Sequence, residues 1–463
     1  MIEPEVASHV LGAALRGGGD FAELFAEDRR GAQAMLDDRR VEELASGAER
    51  GAGIRVVVGE TTGYAHTADL SEPGLLRAAE AAAAVARQSG APTRTVGLRS
   101  ETASARAEGI TDPASVAKAA KVELLQRAND AARRAGAAIA QVSASYSDSR
   151  RRVLVANSDG LLATDDQVRT RLMVNCVASG DAGMQTGYES VAHTMGFELF
   201  DRVEVEEVAR LAAERALSKL HARPAPSGVV PVVIKGGSGG ILFHEACGHG
   251  LEADHIQKNS SVYVGKTEQV VASPLVTLVD DGTMGGEWGT SAVDDEGHPC
   301  TATVLIEDGV LTDYMWDFLR ARKLGRPSPA NGRRQSYQHL PMVRMTNTFL
   351  RPGTEAPEEL VAQTSYGVYV AKLGGGQVNT VTGDFVFGMT EAYLIEDGHI
   401  TSPLRDANLI GNGPQVLRQI DAVASDFAMM PGTCGKDGQS VPVGCGQPTV
   451  RITGVTVGGT AGG

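Results

Sequence analysis

Residues 244–249 read His-Glu-Ala-Cys-Gly-His, inside the longer run Gly239-Gly-Ile-Leu-Phe-His-Glu-Ala-Cys-Gly-His-Gly-Leu-Glu-Ala-Asp254. Two imidazoles flank a carboxylate. A neutral imidazole is a zinc ligand, and a carboxylate beside a metal can take a proton from water. The spacing restricts the fold more than any other feature of the chain. In the common H-E-x-x-H helix the histidines stand four apart and share one face. Here they stand five apart. At about 100° per residue, a regular helix would hold them roughly 140° apart. They can meet at one ion only if the helix bends or bulges between them. Gly248 and Gly250 lie where distortion costs least, since glycine tolerates unusual backbone angles and kinks collect at glycines and bulges. A helix distorted near Gly248 is expected, and Gly248→Val should harm metal affinity more than the same change at Gly240. Without a metal, the two residues would simply be hydrogen-bonded helix histidines.

The chain has 463 residues, enough for two domains and a sizeable core. In the first half, residues 4–17, 75–87, 116–135 and 203–220 carry helical patterns. Strands are expected at 21–27, 41–44, 53–58, 63–67, 139–146, 152–157, 160–168 and 171–178. Helices among mostly antiparallel strands predict an α+β domain over 1–221. His221-Ala-Arg-Pro-Ala-Pro-Ser-Gly228 reads as the linker, because two prolines and a glycine mark a change of composition. Residues 229–463 then form a β-rich, glycine-rich domain around the distorted motif helix, expected over 239–257. Its strands are expected at 229–234, 275–280, 303–307, 366–373, 385–395 and 449–457. Asp308-Gly309 and Asp397-Gly398 predict tight hairpin turns, since this pair supplies the positive φ angles such turns need.

The formal net charge is −14, and no dense Lys/Arg run appears, which argues against nucleic-acid binding. Arg150-Arg-Arg152 and Arg333-Arg334 read as solvated surface. No apolar run approaches the ~20 residues that span a bilayer. The start, Met-Ile-Glu-Pro-Glu-Val, lacks a signal-peptide pattern. Five scattered cysteines (Cys176, Cys247, Cys300, Cys434 and Cys445) fit a reducing cytoplasm better than a disulfide framework.

A catalytic zinc usually has three protein ligands and one open position, so two histidines leave the set incomplete. Cys247 lies in the motif, but its helical position points away from a site shared by both histidines. His255, Glu252, Cys434 and Cys445 remain candidates. Met429–Ser440 reads as a constrained loop with glycines on both sides of Cys434. Gly236-Gly-Ser-Gly-Gly240 follows a strand and opens a helix, as a phosphate loop would. It lacks the Lys-Ser/Thr of that motif, and its glycines read better as an aid to close packing. Gly374-Gly-Gly-Gln-Val-Asn379 is either a mobile turn or a substrate-contact loop, which makes Gly374, Gly375 and Gly376 candidates for substrate binding. Asp280-Asp281, Asp294-Asp-Glu296 and Asp313 could coordinate a metal, but read as solvated turns.

The run Leu242–Asp254 resembles the H-E-x-x-x-H signature of the TldD/PmbA metalloprotease family, on its catalytic side. Val279-Asp-Asp-Gly-Thr-Met284, Gly374-Gly-Gly-Gln377, Glu391-Ala-Tyr-Leu-Ile395 and Cys434-Gly-Lys-Asp-Gly-Gln-Ser-Val-Pro-Val443 are similar to family segments and follow in the same order. They cover most of the C-terminal half, while the N-terminal half is similar in organisation more than in motif. The resemblance implies a zinc metalloprotease, with Zn²⁺ held by His244, His249 and Cys434 and with Glu245 as catalytic base. It implies hydrolysis of peptide bonds in unfolded or leader-type peptides inside an enclosed chamber. It also implies a dimer, formed with a TldE (PmbA)-like subunit that lacks the zinc motif or with a second copy of the chain. Glu252 and Asp254 are expected behind the histidines, fixing the rings. A non-proteolytic zinc amidohydrolase and a scaffold subunit with a structural metal site also fit the motif. A closed set of four ligands would favour the scaffold, and extended substrate binding along a sheet edge the peptidase.

Overall fold

The computed structural model describes residues 2–86, 96–100, 110–181 and 183–459; Arg87, the last residue of one expected helix, lies outside them. The class is α+β. In the first half the order is α1 (Pro4–Leu15), β1 (Phe21–Asp37), β2 (Arg40–Val58), β3 (Thr61–Thr67), α2 (Glu72–Ala86), α3 (Lys118–Arg134), β4 (Ile139–Asn157), β5 (Leu161–Gly180), β6 (Gly183–His193) and α4 (Val205–Leu220). The strands form one antiparallel sheet in the order β3-β2-β1-β4-β5-β6, with a two-residue strand, Arg99–Ser100, also beside β5.

These strands are far longer than the sequence pattern suggests. Residues 41–44 and 53–58 belong to one strand, as do 139–146 with 152–157 and 161–168 with 171–178. The polar stretches between them looked like breaks. In the sheet they are paired ladders in which Asp28 faces Arg50 and Arg152, and Arg29 faces Glu49. Opposite charges set directly across from each other support a strand that has no apolar alternation of its own.

Alternation then divides the sheet's work. The even residues of β1 (Ala22, Leu24 and Ala26, then Ala34 and Leu36) lie under the helices. α1 and α2 cover one end of this face, α3 and α4 the other. The alanines of α2 permit close approach: a Cβ on Gly63 of β3 would lie 2.0 Å from the Ala82 carbonyl oxygen. The odd residues face the second half of the chain. Phe25, Val153 and Val155 pack on Tyr337 there.

Around that apolar contact lies a buried ionic network. Arg55 meets Glu23 at 2.5 Å and Glu296 at 2.8 Å. Arg151 meets Glu27 and Asp295, both at 2.8 Å. Arg334 meets Glu23 at 2.5 Å, with its guanidinium 4.2 Å from the centre of the Phe25 ring. This corrects three expectations. Arg151, in the run 150–152 read as solvated surface, lies in the network with its side chain 12% exposed. Arg333-Arg334 and Asp294-Asp-Glu296 are buried, and Arg334, Asp295 and Glu296 join the halves. Asp280 is buried too, accepting hydrogen bonds from Asn331, Thr346 and Thr348. Asp313 holds Trp316 and Arg326.

The second half contributes β7 (Gly228–Ile234), the motif segment 240–257, β8 (Leu278–Asp281), β9 (Ala302–Glu307), β10 (Asn347–Leu350), β11 (Tyr366–Val378), β12 (Asp384–Glu396), β13 (His399–Arg405), β14 (Ala407–Asn412), β15 (Ala428–Lys436), β16 (Gln439–Gln447) and β17 (Val450–Gly459). Strands β11-β7-β17-β14-β12 pair in that order, and β12 pairs back onto β11, which closes a five-stranded ring. Strands β9-β8-β10-β16-β15 form a second, open sheet. The largest core cluster joins Leu242, Phe243, Ala246 and Cys247 of the motif segment to residues of both sheets. The linker is not free chain, because Arg223 and Pro224 pair with β13. Nor is 374–379 a turn. Gly374, Gly375 and Gly376 lie inside β11, where the register against β12 shifts repeatedly, as bulged strands with internal glycines do. Among the described residues no helix is long and apolar enough to cross a membrane.

Candidate metal centre

The spacing puzzle is solved by a π-turn. The segment starts as an α-helix at Gly240–Phe243, continues as π-helix over His244–Gly248, tightens to 3₁₀ at His249–Leu251 and resumes as α-helix at Ala253–Gln257. The His249 amide donates to the His244 carbonyl, an i→i+5 bond. Such a wide turn sets residues five apart on one side, and single π-turns recur at functional sites. The expected distortion near Gly248 is present, but for a different reason. Gly248 has ordinary helical angles, φ −55° and ψ −53°. Its missing side chain makes room for a neighbour: a Cβ there would fall 2.2 Å from the Met345 sulfur. Gly240 is at least as constrained, since its Cβ would lie 2.3 Å from the Gly446 backbone nitrogen. It is therefore no neutral control for Gly248. The glycines before the motif let this helix lie directly on β16, the reading the sequence favoured over a phosphate loop.

Strand β16 is one arm of a hairpin whose other arm, β15, carries Cys434. This corrects the loop reading of 429–440. Asp437 and Gly438 have φ +47° and +76°, the same tight-turn signature expected at 308–309 and 397–398, where it is also found. Side chains alternate along β15, so Cys434 and Lys436 share a face. Arg344, fully buried, donates to the carbonyls of Cys434 and Gln439 and fixes the hairpin against the body.

The hairpin and the π-turn bring His244, His249 and Cys434 together. All three are buried, and their donor atoms lie within 4.8 Å of one another, within reach of one ion whose bonds to N and S run about 2.0–2.3 Å. The Cys434 sulfur is 3.4 Å from His249 Nε2, and the two rings meet edge to face with centroids 5.1 Å apart. Both ring nitrogens of His244 lack a hydrogen-bond partner. A buried polar group is rarely left unpartnered in a native protein, so the donor set fits a bound metal. Burial alone would raise the Cys434 thiol, but the two imidazoles pull it down to about 4, so the sulfur is a thiolate.

Behind this face stands a carboxylate relay. His249 Nδ1 lies 3.0 Å from Glu252, which is fully buried. Burial would raise this carboxyl, yet His249 and Lys436 hold it at about 2. The carboxylate can only accept, so Nδ1 donates to it and Nε2 is the nitrogen turned toward Cys434, where it would offer its lone pair to a bound metal. Lys436 binds Glu252 at 2.9 Å, Asp254 at 2.8 Å and the Val343 carbonyl at 3.0 Å. Glu252, Asp254 and His255 form a second cluster of potential ligand atoms, with the Lys436 ammonium bound to its two carboxylates.

Glu245 differs from these groups. Its side chain is 23% exposed, and Oε2 lies 3.9 Å from His249 Nε2. It borders the donor set and reaches solvent. The remaining candidates separate clearly. Cys247 is buried in the core beside Tyr263, and burial pushes its thiol up to about 12. His255 faces Ser260 and Glu252. Cys445 lies four residues beyond Val441, the cross-strand partner of Cys434, on the same face, and borders His244. It is not one of the three converging donors. The sequence reading missed Lys436, although its place two residues after Cys434 would have revealed it once the segment was read as a strand.

The chain matches the description of a PmbA/TldA metallopeptidase over three consecutive regions: domain 1 at residues 22–86, the central domain at 111–220 and the C-terminal domain at 227–459. A curated relative, "Metalloprotease TldD homolog" of Haemophilus influenzae, is 39% identical over 449 residues, covering 95% of this chain and 93% of its own. The "Zinc metalloprotease TldD homolog" of Saccharolobus solfataricus is 31% identical over 281 residues, 60% of this chain and 62% of its own. Among solved structures, TldE from Thermococcus kodakarensis superposes with a TM-score of 0.79 at 20% identity, covering 98% of this chain and all of the other, a likeness of fold. With three matched regions in order and a relative this similar along nearly its whole length, the chain belongs to the PmbA/TldD metallopeptidase family.

Proposed function

We propose that this metallopeptidase is a zinc protease acting on unfolded or leader-type peptides, with His244, His249 and Cys434 as ligands and Glu245 as general base. The observation that carries the reading is the convergence of three buried donors beside one partly exposed carboxylate. Two nitrogens and a thiolate suit zinc. Among the described residues only three donors converge, which leaves room for a substrate or water and speaks against a closed structural site. When bound, zinc would supply a Lewis acid and lower the pKa of a water toward ~7. Glu252 and Lys436 hold the His249 ring in one tautomer. Glu245 takes the proton of the attacking water and returns it to the leaving amine. Gly374–Gly376 in β11 are the proposed substrate contacts, since strand glycines admit an extended chain to close backbone approach. The working unit is proposed to be cytoplasmic and dimeric, with a TldE-like subunit or a second copy, so that access to the metal is limited. Two bodies, 1–221 and 229–463, are the proposed domains.

The test uses Glu245→Gln and Cys434→Ser on an unfolded peptide library, with metal analysis alongside. Glu245→Gln should keep its metal and lose at least about a hundredfold in rate. Cys434→Ser should lose metal under loading that leaves Cys445→Ser replete. Normal cleavage by Glu245→Gln, or full metal in Cys434→Ser, would remove that residue from its role. Cleavage of small amides but no peptides would favour the amidohydrolase.

A further inference from the structure

The hairpin that carries Cys434 has a second face. Thr433, Ser440 and Pro442 point away from the metal donors and wall a cavity of about 300 Å³ between the two halves of the chain. Opposite them stands the odd face of the long sheet. Arg29, Arg151 and Gln167 form one cross-strand row there, and Gly31, Ser149 and Arg169 the next. Arg333 closes the cavity from the second half.

The charges in this cavity do not balance. Arg151 and Arg334 have carboxylate partners. Arg169 and Arg333, each 6% exposed, have none among the described residues. Arg169 donates to the carbonyls of Trp288 and Thr290 and to the Gln167 amide oxygen, and Arg333 to the carbonyls of Met345 and Pro442. Neutral acceptors orient these guanidiniums without cancelling their charge. Asp294 also lines the cavity, but burial holds its carboxyl well above the usual range. Burial, with Arg333 and Arg151 close by, draws Arg169 down to about 9, and Asp165 and Asp295 only partly oppose them. Buried charges are normally paired, and a planar guanidinium fork matches a carboxylate.

We propose that this cavity binds a carboxylate, either the C-terminus or an acidic side chain of an extended peptide. A monoanion suits it better than a phosphate dianion, because the ionised Asp295 is part of the wall. The cavity shares Arg29, Ser149, Arg169 and Trp288 with a groove of about 590 Å³ along β1, β2 and β4, which gives an extended chain a route in. That the ligand is a peptide rests on the proposed protease function; the carboxylate chemistry does not.

Calorimetric titration of the whole protein with acetyl-glycyl-glycine, its C-terminal amide, and acetyl-aspartyl-methylamide tests the assignment, before and after 1,10-phenanthroline treatment. The acid should bind and the amide should not, and the aspartyl probe tells side chain from terminus. Arg169→Met and Arg333→Met should each weaken binding at least tenfold. Should either melt early, Arg29→Ala at the exposed mouth should still weaken it. Equal binding of acid and amide, or unchanged affinity in folded variants, would overturn the proposal. So would loss of binding on chelation, which would put the carboxylate at the metal. Failed peptide cleavage with carboxylate binding intact would instead count against the protease reading and leave the cavity standing.

Discussion

The proposed metal centre and the ionic network between the halves are both buried and both charged, but they meet their needs in different ways. In the network each of Arg55, Arg151 and Arg334 meets at least one carboxylate within 2.8 Å. The charges answer one another, even though some N–H groups of Arg55, Arg151 and Arg334 are left without a partner. At the proposed metal centre, His244 has two ring nitrogens without a partner, and the Cys434 sulfur lies 3.4 Å from His249 Nε2. Burial alone therefore does not mark a site. What marks it is the convergence of three donor atoms, two imidazoles and a thiol, on one point.

The sharpest way to break this contrast is to remove a network charge. Arg334→Met strands Glu23 with one partner fewer in a dry interface. Breaking a buried pair in this way costs about 3–5 kcal/mol, against ~0–1 kcal/mol for an exposed pair. Denaturant unfolding should show that loss while metal affinity stays within about twofold. Adding Glu23→Gln should recover part of it, because removing both partners is milder than removing one. A large drop in metal affinity would show that the two regions are one.

A smaller effect is expected behind the metal. Lys436→Met leaves the three donors in place but frees Glu252. Loss of such a supporting group typically costs about 10–100-fold in metal affinity, and competition with a chelator would measure it. Unchanged affinity would demote the relay to packing.

Acid provides the mildest probe. Glu252 has a folded value near 2, below its ordinary 4.5. Its stabilisation is complete above pH 4.5 and is lost as pH falls through about 2. Metal released above pH 4.5 should therefore leave the near-ultraviolet circular dichroism unchanged, since only the ligands have taken protons. Collapse of that signal together with the metal would contradict the separation.

The motif, both histidines and the α+β class could be read from the chain because each rests on local residue type or period, whereas residue type left Cys434 one of four candidates and only the family resemblance singled it out. The long strands could not. The stretch Asp28–Gln33 has no apolar alternation, and only its partners across the sheet make it a strand. Arg333 and Arg334 read as surface because a charge carries no mark of its counter-charge. Arg334 is separated from Glu23 by 311 residues. Lys436 was hidden by the loop reading of Met429–Ser440, although Asp437-Gly438 repeats a turn signal read elsewhere. A distortion between the histidines was anticipated from spacing, but neither its π form nor the job of Gly248 was, since making room for Met345 depends on a residue nearly a hundred positions away.

The place of Lys436 has one more consequence. Glu252, Asp254 and His255 would make a passable seat for a second cation, and enzymes with two neighbouring ions use them to grip both oxygens of a displacement. Here the side-chain ammonium of Lys436 already holds the two carboxylates. Any second ion would have to expel it, so the expected stoichiometry is one metal per chain.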